Sequence, residues 1–257
     1  IPLRGGIHAA HQMPSINRPE TRALRPDSNG FSNISHLILQ LAYRLPLDDA
    51  PEETFASRGR SKELEGRGNY EVTDYVLYGV RESLLGDTAE ARRVAGRLQA
   101  MRDSATSRTF EGAFEPWLTL LDVGPAYQRG DWSAVLEILG PVESRIHAPQ
   151  VGYLPGDDYL IWWLLADAHI HLGDPRSAIP FLESILERPR FRQKSWMIQG
   201  FIHPAARFML AGLYAGEGNA EQAREHYRIF LDTFTDPDPE FRWMVEEADR
   251  ALAALEG

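Results

Sequence analysis

The sequence contains no cysteine among its 257 residues. This absence excludes disulfide bonds, thiolate zinc sites and cysteine nucleophiles, and it leaves the redox compartment open. Lysine is nearly absent as well, because only Lys62 and Lys194 occur and arginine supplies almost all of the positive charge. No run of apolar residues approaches the roughly 20 residues of a membrane-spanning helix, so we expect no membrane insertion within this chain.

Positive charge is in short supply overall. The chain has 27 lysine and arginine residues against 37 aspartate and glutamate residues, a formal net charge of −10 at pH 7. Such an excess repels phosphate groups, so nucleic acid is a poor candidate partner. A hydrophobic content of 43% is sufficient for a substantial core, and we expect folding without a metal or other cofactor. The first residue is Ile1, which fits a processed product or a fragment and leaves a cytoplasmic or an exported location open.

Signatures of catalysis are missing too. The sequence holds no phosphate-binding loop, no GxSxG turn, no HExxH motif and no protein-kinase motif. His169 and His171 are two residues apart on a predicted helix and point to different faces, which disfavours a shared metal. Asp157 and Asp158 precede a predicted helix, where carboxylates normally cap the N-terminus. We therefore predict that the protein is not an enzyme.

A repeated turn is what the sequence does contain. Glycine followed by aspartate or asparagine occurs four times at intervals of 43 to 45 residues, each time between two segments of helical periodicity. This period is typical of stacked helical hairpins, in which neighbouring units bury one another's apolar faces. Around three of the four glycines, small residues lie seven positions before and five positions after, where they would let paired helices approach closely. The turns begin at Gly86, Gly130, Gly173 and Gly218.

These patterns divide the chain into an arm and a helical domain. Residues 1–30 are rich in proline and glycine without sustained periodicity, which predicts an extended N-terminal arm. Residues 31–257 are predicted to be helical, beginning with a partial or irregular repeat. After Pro237 and Pro239, residues 240–255 are amphipathic, and their charged side suits a solvent-facing end cap. Four hairpins are predicted in between, at about residues 71–103, 110–147, 157–189 and 203–235.

Two of the hairpins resemble a known repeat family. The segments LADAHIHLGDPRSAIPFLESIL and MLAGLYAGEGNAEQAREHYRIFL are similar to tetratricopeptide repeats in their spacing of small residues around a turn and in the aromatic Tyr227. The resemblance implies an all-α fold in which helical hairpins form a right-handed superhelical solenoid. Repeats of this kind also resemble C-terminal regions of bacterial signalling proteins such as serine/threonine kinases and adenylate cyclases. The family repeat has 34 residues, so the longer period predicts extended helices or loops and a departure from regular geometry.

The resemblance also implies a function. Tetratricopeptide repeats usually bind extended peptides in a groove lined by the first helix of each hairpin. We therefore expect a non-enzymatic scaffold that binds a protein or peptide partner through such a groove. The groove residues implied in this way are Tyr75, Tyr78, Trp163, Ala166, Phe208 and Tyr214.

A basic segment between the third and fourth hairpins is a second candidate site. Its cations alternate with Pro189 and Phe191, a pattern that suits an acidic peptide or another anionic partner. A solvated loop between repeats is the commoner interpretation of such a run. The cations are Arg188, Arg190, Arg192 and Lys194.

Two further functions remain open. A solenoid has two open ends, so copies of the chain could pack head to tail into a filament or tube, with the N-terminal arm locking a neighbour. Alternatively, the chain is the regulatory or sensory region of a larger bacterial signalling protein. The charged end cap favours a terminated monomer over a filament.

Overall fold

The structure is a computed structural model that describes residues 37, 40–42, 69–103, 114–146, 157–187, 195–235, 237 and 239–257. These residues form helices and the turns that join them, which confirms the all-α class. The predicted arm, residues 1–30, lies outside the described residues. In chain order the helices are α1 (Asn69–Leu85), α2 (Thr88–Arg102), α3 (Phe114–Gln128), α4 (Trp132–Ile146), α5 (Asp157–His171), α6 (Pro175–Glu187), α7 (Ser195–Gly216), α8 (Ala220–Thr233) and α9 (Arg242–Glu256), and the short 3-10 helix Pro239–Phe241 precedes α9.

Four turns of one backbone geometry join the helices in pairs. The predicted glycines have positive φ angles: 94° at Gly86, 64° at Gly130, 78° at Gly173 and 77° at Gly218. This left-handed conformation is accessible to glycine without steric cost. In each turn the glycine N–H donates to the carbonyl three residues before it, and the next N–H donates to the carbonyl five residues before it. This Schellman arrangement pairs carbonyl groups that would otherwise lack a partner at the helix end.

The residue after each glycine caps the following helix. Asp87 Oδ1 accepts hydrogen bonds from the N–H groups of Ala89 and Glu90 at 3.1 and 3.0 Å. The equivalent side chains Asp131, Asp174 and Asn219 each accept the N–H of the residue three positions later. A cap of this kind typically contributes about 1 kcal/mol. Each predicted turn therefore ends one helix and begins the next.

The fourth hairpin begins earlier than predicted. Its first helix starts at Ser195 rather than near residue 203, so that Pro204 lies inside the helix. Proline removes one N–H donor and disfavours a helix interior, but Ile202 and Ala206 on either side of it are buried. The helix therefore continues through Pro204, where burial of the neighbouring side chains offsets the cost of the proline.

Helices pack mainly against their neighbours in the chain. Each described helix contacts the one before and the one after it, and α1 also packs against α3. The small residues on either side of the turns are buried, as close pairing of helices requires. They are Gly79, Ala91, Ala166, Ala178, Ala211 and Ala223.

Helices α1 and α3 approach each other closely. A Cβ atom placed on Gly124 would overlap the backbone carbonyl and the hydroxyl of Ser83. Ser83 Oγ donates a hydrogen bond to the Leu121 carbonyl at 2.6 Å, and the Gln128 side-chain amide donates to the Leu84 carbonyl. The two backbones therefore meet with only a glycine and a serine between them.

Helix α9 covers the C-terminal end of the described domain. Met244 and Ala248 are buried, and α9 packs against α8. Arg224 of α8 donates to the Leu255 carbonyl at 2.8 Å, which pairs one of the last carbonyls of α9. The opposite side of α9 exposes charged residues, as the amphipathic pattern predicts. They are Glu246, Glu247, Asp249 and Arg250.

Candidate interaction surface

Four of the six predicted groove residues lie in the core. Tyr75 and Ala166 are fully buried, while Tyr78 and Trp163 expose only 8% and 4% of their surface. Residues 158–166 of α5 are buried without interruption, and nine residues cover more than two helical turns and hence every face. These four side chains offer no surface to a peptide, which corrects their predicted position on an open groove.

The remaining two, Phe208 and Tyr214, are partly exposed on α7. The Phe208 ring contacts the Tyr227 ring edge-on, with 6.3 Å between centroids, and it packs against Phe230 at 5.3 Å. It also meets the ring of Trp243 at 5.7 Å and 90°. Trp243 is 40% exposed in the first turn of α9. We call Phe208, Tyr227 and Trp243 the aromatic patch.

The base of the aromatic patch is rigidly packed. Phe230 stacks on Phe234 with 5.3 Å between centroids, and Phe234 packs against Phe241 at 6.3 Å. Tyr227 is only 4% exposed, and burial, assisted by the charge of Glu247, raises the pKa of its phenol to about 12. The patch therefore has a fixed, neutral base from which Trp243 projects.

A group of polar side chains adjoins the patch where α6, α7 and α8 meet. The Tyr214 hydroxyl donates to Glu183 Oε1 at 2.5 Å, and the Tyr214 ring stacks on His226 with 5.6 Å between centroids. The Arg207 guanidinium lies 3.3 Å from His226 Nδ1. We call Glu183, Arg207, Tyr214 and His226 the polar cluster. It is contiguous with the patch, because Arg207 precedes Phe208 on α7 and His226 precedes Tyr227 on α8.

The environment of the polar cluster favours neutral forms of histidine and tyrosine. Burial, together with the charge of Arg207, lowers the pKa of His226 below its ordinary value of 6.5, against the opposing charges of Glu225 and Glu183. Burial and the hydrogen bond to Glu183 raise the pKa of Tyr214 to about 12. Burial also lowers the pKa of Arg207, yet arginine keeps its charge throughout the physiological range. His226 Nδ1 thus accepts a hydrogen bond from Arg207, and the imidazole proton is on Nε2.

This arrangement joins helices and does not present reactive groups. The lone pair of His226 Nδ1 is directed at a cation, and the Tyr214 proton is directed at a carboxylate. A general base needs a lone pair within reach of a substrate proton. The polar cluster therefore tethers α6, α7 and α8, while Trp243 of the aromatic patch is exposed.

The two histidines of the third hairpin contact different neighbours, as their spacing predicts. The His171 ring stacks on Trp132 with 4.1 Å between centroids and 5° between planes, and its Nε2 is 3.6 Å from Asp167 Oδ1. His169 Nδ1 lies 3.7 Å from Asp174 Oδ2. Within the described ranges, no three or more histidine, aspartate or glutamate side chains are arranged to hold a metal ion.

The predicted basic segment is not among the described residues. Its role in binding an acidic partner therefore stays a prediction. The four cations concerned are Arg188, Arg190, Arg192 and Lys194.

The sequence indicates Phe208 as part of this surface but does not indicate Trp243. Trp117, Trp162 and Trp163 expose at most 4% of their surface, whereas Trp243 is 40% exposed. A signal for its exposure did exist, because Glu246, Glu247 and Arg250 lie three, four and seven residues after Trp243 and therefore share its face of the helix. The contact between Arg207 and His226 has no local signal, since 19 residues separate the two.

Comparison of the chain with protein-family models, with curated proteins and with solved structures finds no match. None of the helices described combines the length and the apolar character that crossing a bilayer requires. The fold thus defines the class, an all-α protein with paired helices joined by Gly-Asp and Gly-Asn turns. The aromatic patch lies on α7, α8 and α9 of this fold.

Proposed function

We propose that this protein is a non-enzymatic interaction module of tetratricopeptide-like hairpins that binds a peptide or protein segment at the aromatic patch. The proposal rests on Trp243, which is 40% exposed above the ring of Phe208. Tryptophan is among the residues most enriched in binding hot spots, because its large ring contributes much contact area with few rotatable bonds. A half-exposed tryptophan held by other rings has the form of such an anchor.

Two properties of the surroundings support this role. The rings beneath Trp243 are already packed, so little side-chain freedom is lost when a partner binds. Arg242, Glu246 and Glu247 around Trp243 are exposed, and a charged rim around an apolar centre is the usual composition of an interface. The partner should therefore place an apolar side chain against Trp243 and polar groups around it.

Leu172 provides a matched control for this surface. It and Trp243 are the large hydrophobic residues that are exposed in the described part of the chain, at 45% and 40%. Leu172 lies in the turn between α5 and α6, away from the ring contacts of the aromatic patch. Replacing it removes a comparable exposed apolar side chain without touching the proposed site.

The test is selection of peptides from a random displayed library against the full chain, followed by affinity measurement with fluorescence anisotropy. We expect the selected peptides to lose at least about tenfold in affinity for Trp243→Ala, as hot-spot truncation implies. Affinity for Leu172→Ala should stay within about twofold of the unmodified protein. Enrichment of no peptide, or equal affinity for all three proteins, would contradict the proposal.

A further inference from the structure

The contact between His226 and Arg207 is compatible with only one protonation state of the imidazole. His226 is 7% exposed, and its Nδ1 lies 3.3 Å from the Arg207 guanidinium. A neutral imidazole can accept a hydrogen bond there, whereas a protonated one would direct a second N–H at the cation. Two like charges at this distance in a partly buried place repel each other strongly.

The other charged groups around His226 do not replace this contact. Tyr214 on α7 covers the face of the ring, and its hydroxyl is bonded to Glu183 on α6. Glu225, the preceding residue on α8, is exposed. Both carboxylates favour protonation of His226 at a distance, but Arg207 is the charged group in contact with the ring. A proton on His226 therefore separates the ring from Arg207.

We propose that the contact between His226 and Arg207 is an acid-sensitive latch that holds α7 against α8 and so regulates the aromatic patch. The residues next to the latch, Phe208 and Tyr227, pack against each other in the same pair of helices. Separation of Arg207 from His226 displaces Phe208, on which Trp243 is supported. The regulatory part of this inference rests on the proposed function, whereas the latch itself does not.

The direction of the pH effect follows from linkage. The pKa of His226 is lowered by the fold from its ordinary value of 6.5, so the closed latch binds fewer protons than the open one. Stability of the closed state is therefore complete above the ordinary pKa and falls as the pH drops from there toward the lowered pKa. Within that window the population of the open state rises by up to about tenfold for each unit by which the pH falls.

Hydrogen–deuterium exchange of the full chain tests the latch without any partner. Between pH ~7.5 and pH ~5, after correction for intrinsic exchange rates, we expect α7 and α8 to lose about fivefold to tenfold in protection while α1 to α3 change by less than about twofold. His226→Gln, which can accept the Arg207 hydrogen bond but cannot be protonated, should remove the change. His169→Gln, in the third hairpin, should retain it.

Arg207→Gln is the reciprocal variant and keeps the inference testable if His226→Gln does not fold. It removes the facing cation, so the pKa of His226 measured by NMR should rise and the acid sensitivity of α7 and α8 should fall. Protection that is independent of pH in the unmodified protein, or an equal loss in His226→Gln, would overturn the latch.

A peptide selected at the aromatic patch separates this inference from the proposed function. If α7 and α8 open in acid but no peptide depends on Trp243, the latch stands and the proposed function fails. If a peptide depends on Trp243 but binds equally at pH ~7.5 and pH ~5, the proposed function stands and the regulatory part of the inference is overturned.

Discussion

At the scale of single residues, the fold depends most on places where a side chain is missing. Gly124 lets α3 approach the backbone of α1 at Ser83, and Gly79 leaves room for Val94 of α2, whose Cγ1 would be 2.7 Å from an added Cβ. Both contacts are between helices that are buried together, so neither backbone can withdraw without opening the core. Small residues at these positions are therefore required by geometry.

Gly124→Ala should destabilise the protein by about 1–3 kcal/mol, because the added methyl group overlaps the backbone of Ser83 and overpacks the junction of α1 and α3. Urea denaturation followed by circular dichroism measures this change. Gly140→Ala is the matched control, since Gly140 is also inside a helix but a Cβ there meets nothing within 4 Å. The control should be neutral or stabilising by up to about 1 kcal/mol. Equal effects of the two substitutions would show that helix propensity alone determines the change in stability.

At the scale of elements, the sequence predicts the turns and helix ends, because local chemistry determines them. Each hairpin was predicted from a glycine followed by aspartate or asparagine, and the structure shows that the glycine has positive φ and that the next residue caps the following helix. Both functions depend on atoms within a few residues. The start of α7 could not be found in this way, because packing on either side of Pro204 extends the helix beyond the local signal.

The candidate site depends on longer-range information and was therefore predicted only in part. The sequence indicates Phe208 and Tyr214, which are partly exposed. Trp163 lies ten residues before its turn glycine, as Phe208 does, and yet it is buried. Whether such a position is open depends on which other parts of the chain cover it. Periodicity identifies an apolar face but does not say what packs against it.

The caps give a prediction at this scale. Asp87→Ala should destabilise the protein by about 0.5–2 kcal/mol, because the N–H groups of Ala89 and Glu90 lose their acceptor at the start of α2. Asp87→Asn keeps an acceptor oxygen, as Asn219 does at the start of α8, and should cost only a few tenths of a kcal/mol. Thermal and urea unfolding of both variants provide the measurement. A loss in Asp87→Asn as large as in Asp87→Ala would instead assign the effect to the charge of Asp87 at the helix dipole.

At the scale of the whole molecule, the two sides of α9 bear on the hypothesis of self-assembly. The buried side packs on α8, and Arg228 pairs with Glu256 at 2.5 Å across the two helices. The exposed side carries four charged residues around the middle of the helix, which a second copy would have to desolvate in order to stack there. This end of the domain therefore has the properties of a terminus, as capping units of repeat proteins do.

We accordingly expect the intact chain to be a monomer, with a mass near 29.0 kDa that light scattering finds independent of concentration. A chain ending at residue 236 lacks α9 and exposes the rings of Phe208 and Phe234, which now pack against Trp243 and Phe241. That variant should associate as concentration rises, because a large apolar patch left uncovered is an association site.

A chain lacking residues 1–30 should remain a monomer like the intact protein. The opposite result would be large assemblies of the intact chain that disappear when residues 1–30 are removed. That result would favour a filament held together by the arm, because α9 would be present and yet fail to terminate the assembly.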